Sequence, residues 1–277
     1  MQSREDEALA RAAVDALTGQ LALAPKPGLP DPRDLAARTT RVDHRALRWS
    51  AKALAPGLAA MAAAARRTGE PTPQLRAELG AIGRCAEHSL ALAGGGHRGA
   101  LWALGLLVAA AALDPRAGAK DVAATAKRIA AHPDRRAPRR PSRGSSISAK
   151  YGAAGARGEA KAGFPHVRRA LDTLGTVRAT GAMETQARLD ALLTVMSTLQ
   201  DTELLHTAGP LGLRHVQAGA RAILETGGTA TEAGARALSA FDTDLHTRAW
   251  SPRGSAGLLA GALFLDSLPV SSPTPAA

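Results

Sequence analysis

The heptapeptide GGGHRGA, Gly94 to Ala100, sets three flexible residues, an imidazole and a guanidinium immediately before an apolar, helix-forming run. At such a junction the first backbone N–H groups of the helix lack carbonyl partners and the helix dipole presents its positive end, so an anion is stabilised there. Gly95 and Gly96 let the backbone approach a ligand closely, His97 adds a donor, and Arg98 suits a bidentate contact with phosphate. A second flexible stretch, GARGEAKAGFP from Gly155 to Pro165, carries Arg157 and Glu159 two positions apart. By itself that pair is either a local salt bridge that steadies a loop or two groups with opposite electrostatic tasks towards one ligand. The Walker pattern GxxxxGK[ST] and a GxGxxG following a strand are both missing, which argues against an ordinary P-loop or Rossmann nucleotide site.

These groups need a scaffold, and composition specifies its class. Hydrophobic residues make up 45% of the 277 but aromatics only 3%, and without runs of β-branched residues strands have little to build from. The expectation is an all-α fold: one multi-helix, bundle-like domain over 1–277, with glycine-rich loops forming a nucleotide pocket. Helices are expected from Arg4 to Leu23 and over about 43–67, 73–93, 99–113 and 118–132, punctuated by PKPGLPDPRD, Gly69, Gly94 to Gly96 and Pro115. LWALGLLVAAAAL, Leu101 to Leu113, is shorter than the roughly 20 residues of a bilayer span and reads as a helix buried on all sides.

From Glu184 to His206, the residues Leu189, Leu192, Leu193, Met196 and Leu199 mark one core-facing stripe, on which Gln200 and Glu203 also fall. Either the helix end emerges from the core there or the two polar groups line a wet pocket. Ser251 and Pro252 take the N-cap and first position of a last helix. Residues 132–150, rich in Pro, Ser and Arg, read as a basic flexible loop, and 269–277 as a disordered tail.

The formal charge of +11 favours anionic partners. Too few aromatics are present to stack single-stranded bases, so no stable nucleic-acid partner is expected. The single Cys85 excludes an intrachain disulfide and a cysteine metal cluster, and the acidic start MQSREDEALARAAV lacks a signal-peptide pattern. The expectation is a cytoplasmic protein with no membrane partner, and a homodimer as its candidate assembly.

Taken in order, PKPGLPD (25–31), AIGRCAE (81–87), GGGHRGALWALGLL (94–107), GARGEAKAGFP (155–165), LLTVMSTLQDTELLHTAG (192–209) and SPRGSAGLLAGALFL (251–265) resemble the motifs of the triphosphoribosyl-dephospho-coenzyme A synthase family, of the malonate decarboxylase or the citrate lyase branch. The resemblance covers about Gln20 to Leu268, and the combination of GARGEA, PKPGL and SPxGSAxLLA carries it. It implies an all-helical enzyme in which ATP gives its triphosphoribosyl group to 3′-dephospho-coenzyme A and adenine is released, the product being the precursor of the prosthetic group of an acyl carrier protein. It also implies carboxylates for ribosyl transfer at Glu159, Asp201 and Glu87. Phosphate contacts would come from Lys26, Gly95, Gly96, His97, Arg98, Arg157 and Ser255, and Mg2+ would be held by Glu87, Asp201 and Glu203.

Departures from the family pattern fall on polar positions. Gln20 stands for a glutamate, Ala37 and Thr39 for a histidine and an aspartate, Ala154 for a tyrosine and Thr207 for an arginine. Gln200 and Glu203 replace the outer residues of DDTN, and the aspartate of GGSADLLA is lost within 253–257. A relative with another acceptor, and a non-catalytic nucleotide-binding protein, therefore stand beside the transferase as alternatives.

Overall fold

Local signals decide where each helix starts and stops. Ser3 and Asp6 exchange side-chain and backbone hydrogen bonds in a capping box that opens α1, Arg4–Leu21. In the computed structural model, which describes residues 2–35, 44–138 and 141–269, the chain then turns through a 3-10 segment, Pro32–Leu35. The helix expected over 43–67 divides into α2, His44–Lys52, and α3, Ala55–Thr68. Pro56 near the start of α3 has no N–H to continue the ladder and restricts the residue before it, so the break falls there. Next come α4, Pro73–Leu92, capped by Thr72, then α5, Arg98–Leu113, and α6, Ala119–Ala131. Within the stretch read as a flexible loop stands α7, Arg143–Tyr151, because the Ser142 side chain caps Ser145 N–H and Gly152 closes the other end in the left-handed region.

The second half holds α8, Gly155–Lys161; α9, Pro165–Ala179; α10, Glu184–Met196; α11, Thr202–Thr207; α12, Gly209–Glu225; α13, Glu232–Thr247; and α14, Arg253–Asp266. Among the described residues these fourteen α-helices meet no strand. The stripe expected to run from Glu184 to His206 breaks at 197–201, so Gln200 and Glu203 do not continue the face of α10. Ser251 does not cap the last helix either, since Pro252 holds that position without a side-chain bond and the cap comes from another segment. Ala37, Thr39, Arg139, Arg140 and the tail from 270 onward lie outside the described residues.

Buried apolar residues from α1 through α14 form one cluster. Its centre is α5 packed against α14, two Ala- and Leu-rich helices buried on nearly every side, with α1, α3 and α9 laid around them. Such helices show little amphipathicity because they have no solvent face. No described helix is long and apolar enough to cross a membrane.

An ion network pins α9, α10 and α14 at their ends: Arg178 bonds Glu184 and Asp266, and Arg188 bonds Glu184. Hydrogen bonds from Arg178 hold Glu184 down at about 2, against the upward pull of burial and with further help from Arg188. A folded value below the unfolded one means that the stabilisation is complete above the ordinary carboxylate range and is lost as pH falls towards that low value. Because Glu184 is 45% exposed, water screens the pair and the contribution stays below about 1 kcal/mol. The urea midpoint of Glu184→Gln should therefore fall below that of the parent at neutral pH, and the gap should close as pH is lowered from about 5 to about 2.

Candidate functional site

Two glycines inside α4 open one side of the site. A Cβ on Gly83 would stand 2.6 Å from the Trp102 ring, and one on Gly80 would stand 2.1 Å from Asp134 Oδ2. Each glycine weakens the helix by about 1 kcal/mol relative to alanine, and each lets a side chain lie directly on the α4 backbone. Trp102 of α5 donates its indole N–H to Glu87 of α4, and Arg98 Nε donates to the same oxygen at 2.7 Å. One turn further back, Arg84 Nη1 meets Asp134 Oδ2 at 2.7 Å. Arg76 lies beyond it, with Nη1 3.8 Å from that carboxylate, buried and without a hydrogen-bond partner among the described residues. A cavity of about 10 Å³ adjoins it, walled by Met61, Leu79, Trp102, Gly105 and Leu106; helices, not glycine-rich loops, form this space.

From the other side α8 packs on α5 and α6, and exposed Arg157 comes within electrostatic reach of Arg76. Burial pushes the Arg76 guanidinium below the usual arginine range and Arg157 and Arg84 push the same way, while Asp134 opposes them. Along α4, then, Arg98 holds Glu87, Arg84 holds Asp134 with Arg76 3.8 Å from it, and Arg157 adds positive charge near Arg76. The surplus is positive, and one donor set is already desolvated.

The second group of motif residues gathers at the start of α14. Asp201, 3% exposed, accepts from Glu203 and Leu204 at the start of α11 and from Gly254 at the start of α14. One carboxylate therefore caps two helices, and burial still pushes it up to about 6 against those backbone bonds. Ser255 beside it is 1% exposed and its hydroxyl has no partner among the described residues. Gly257 would carry its Cβ 3.3 Å from Ala100 N, which sets the start of α14 against the start of α5. Gly28, at a positive φ of 64°, lies against the Trp250 carbonyl and brings PKPG to the same end. There Lys26 is 1% exposed, with Nζ donating to Gln20 O and Oε1 at 3.1 Å each. His97, buried close to Lys26, bonds the Leu47 carbonyl at 2.9 Å, and burial lowers its pKa.

Glu159 does not pair with Arg157. Residues two apart on a helix point to nearly opposite sides, and Glu159 turns inwards, 5% exposed, to accept from His166 N at 2.9 Å and His166 Nδ1 at 2.6 Å. The tight return that permits this runs through Gly163 and Phe164, both at positive φ, with Phe164 at 55° and buried. Such a backbone costs a non-glycine residue about 1 kcal/mol or more.

The structure thus divides the expected site. Glu87 and Arg98 pair between α4 and α5, and Arg157 on α8 comes within electrostatic reach of Arg76; Lys26, His97, Asp201 and Ser255 collect around the first turn of α14; Glu159 is joined to His166. The backbone at Gly94, Gly95 and Gly96 is left-handed throughout, and a Cβ on Gly95 would meet nothing within 4 Å. Glu87, Asp201 and Glu203 do not stand together as a three-residue metal cluster among the described residues. Glu87 is held by Arg98 and Trp102 and Asp201 by backbone N–H groups.

Sequence reasoning missed Arg76, Arg84, Trp102, Asp134 and His166. Three of these carry a usable signal: Arg84 and Trp102 lie inside quoted motifs, and His166 directly follows one. Arg76 and Asp134 carry none, being joined to the rest only by packing.

The family described as ATP:dephospho-CoA triphosphoribosyl transferase matches residues 6–275 of this chain. Among curated proteins it is 48% identical to the probable 2-(5″-triphosphoribosyl)-3′-dephosphocoenzyme-A synthase of Pseudomonas fluorescens, over 95% of this chain and 91% of that one. It is 46% identical to the protein of the same description from Stutzerimonas stutzeri, over 98% and 93% of the two chains. The corresponding protein of Azotobacter vinelandii is 46% identical over 95% and 91%. No solved structure matches it.

Proposed function

We propose, from the premise that this chain belongs to the ATP:dephospho-CoA triphosphoribosyl transferase family, that it transfers the triphosphoribosyl group of ATP to 3′-dephospho-coenzyme A. The ribose hydroxyl of the acceptor attacks the anomeric carbon of the ATP ribose, the bond to adenine breaks, and adenine leaves with its electron pair and a proton. The product is the prosthetic-group precursor of a malonate decarboxylase or citrate lyase acyl carrier protein. The observation that carries this reading is the excess of arginine around Arg76. A triphosphate presents several formal negative charges along a short chain, and desolvated guanidinium groups are the donors best matched to phosphate oxygens. Arg76, Arg84, Arg98 and Arg157 hold the polyphosphate on the α4–α5–α8 face.

As C–N cleavage leaves positive charge on the sugar, a fixed carboxylate beside it lowers the barrier. Glu87 is that group: Arg98 and Trp102 orient it and it is 21% exposed, so it remains open to substrate. Asp201 is enclosed and acts by holding α11 and α14 together. Ser255 offers its unpaired hydroxyl to a substrate oxygen at the same end. No group of three His, Cys, Asp or Glu side chains gathers to hold an ion among the described residues; magnesium at a nucleotide needs only one or two carboxylates beside phosphate oxygens and water, so Mg2+ would enter with the triphosphate.

Incubating the purified protein with MgATP and dephospho-coenzyme A should release one adenine per triphosphoribosylated product, resolved by liquid chromatography. Omitting the acceptor should suppress adenine. Product formation with another ribosyl acceptor but none with dephospho-coenzyme A would move the protein to a different reaction.

A further inference from the structure

Transfer to a ribose hydroxyl requires a group that removes the hydroxyl proton, and the two carboxylates first considered for ribosyl chemistry besides Glu87 are both withdrawn from substrate. Asp201 accepts only from backbone N–H groups. Glu159 is 5% exposed and each of its oxygens accepts from His166. A carboxylate oxygen can only accept, so the 2.6 Å contact places the proton of the neutral imidazole on Nδ1 and leaves the Nε2 lone pair free. The His166 side chain is 15% exposed, and Nε2 has no partner among the described residues.

Position agrees with this role. Thr173 of α9 bonds Thr194 of α10, and one turn earlier Arg169 bonds Thr198. Thr198 already lies past the end of α10, in the 197–201 turn where Gln200 Oε1 accepts Ala154 N–H and Asp201 accepts Gly254 N–H at the start of α14, so the first half of α9 runs towards that turn. His166 lies one turn before Arg169 on α9, on the side of that turn, and Glu159 ties it to α8, from whose opposite side Arg157 faces Arg76. In the other two imidazole–carboxylate pairs among the described residues, His215 with Asp244 and His246 with Asp242, the imidazole lies open to water, 44% and 39% exposed.

We infer that His166 is the general base of the transfer and that Glu159 is a positioning residue acting through it; this rests on the transferase reading. His166 Nε2 takes the proton of the acceptor hydroxyl as its oxygen forms the new bond to the anomeric carbon. The electron pair of the broken C–N bond leaves with adenine, which takes a proton from water on the opposite face of the sugar, and the imidazolium releases the hydroxyl proton to solvent, so the ring ends each cycle neutral. Glu159 keeps the ring turned and stabilises its charge while the proton is held.

The test measures adenine release by the full chain and by His166→Gln, His166→Ala, Glu159→Gln and the double variant Glu159→Gln/His166→Ala, with circular dichroism confirming that each is helical. His166→Gln should lower kcat by about 10²–10⁴-fold while the KM for ATP stays within about threefold. Added imidazole should raise the rate of His166→Ala, which a merely structural histidine would not permit. Glu159→Gln should lower kcat by about 10–100-fold, and the double variant should be no slower than His166→Ala, because groups acting as one unit are not additive. Equal adenine release by the parent and His166→Gln overturns the base alone. No adenine from the parent overturns the transferase reading and the base together.

Discussion

Arg76→Leu is expected to weaken ATP binding about a hundredfold, close to 2.7 kcal/mol, without lowering the stability of the fold. The two effects part because Arg76 is badly served in the folded protein. Its side chain is 18% exposed and Nη1 is buried without a hydrogen bond among the described residues, while its carboxylate neighbour is 3.8 Å away and more closely bound to Arg84. Leucine keeps the apolar contacts with Leu79 and Trp102 and removes a charge that burial and two nearby arginines disfavour. Under the proposed function a phosphate oxygen would supply the missing acceptor, and a charged hydrogen bond made in that desolvated place is worth about 1.5–3 kcal/mol. Arg157→Ala, at an exposed position, should reduce affinity about tenfold and flatten its dependence on salt. Calorimetry with ATP and urea unfolding together decide the matter. Unchanged affinity with reduced stability would assign Arg76 to Asp134 alone.

Asp201→Ala should cost about 3 kcal/mol or more of folding free energy. One helix cap is worth about 1–2 kcal/mol, and each buried N–H left without an acceptor adds about 1–3. Here a single side chain serves the first turns of α11 and α14, and α14 is one of the two central helices. Asp201→Asn, which keeps one carbonyl oxygen, should fall between alanine and the parent. The check is the denaturant midpoint at constant slope; a loss under about 1 kcal/mol for alanine would mean that water replaces the carboxylate at both helix ends.

Much of the framework was legible in the residues. Capping box, prolines and glycines set the limits of α1, α4, α5 and α6 to within about two residues, because those signals act within one turn of chain. Periodicity misled between Glu184 and His206, where the spacing of Met196, Gln200 and Glu203 continues a helix that the chain leaves after Met196. Composition misled at 143–151, since Pro and Ser upstream concealed an N-cap at Ser142. The resemblance located the site's segments, but their grouping was hidden. Arg157 and Glu159 look like one pair in the sequence, and the turn of α8 sends one towards Arg76 and the other to His166.

By itself, then, the sequence determined the helical class, most helix limits, the positive charge and the family to which the motifs belong, all of which depend on neighbours along the chain or on a count of residue types. Only the tertiary structure decided that Asp201 caps two helices at once, that Arg76 is buried beside other arginines, and that Glu159 holds an imidazole. Each of those depends on which helix faces lie against one another, and that is fixed by packing across the whole core, beyond the reach of spacing within any one segment.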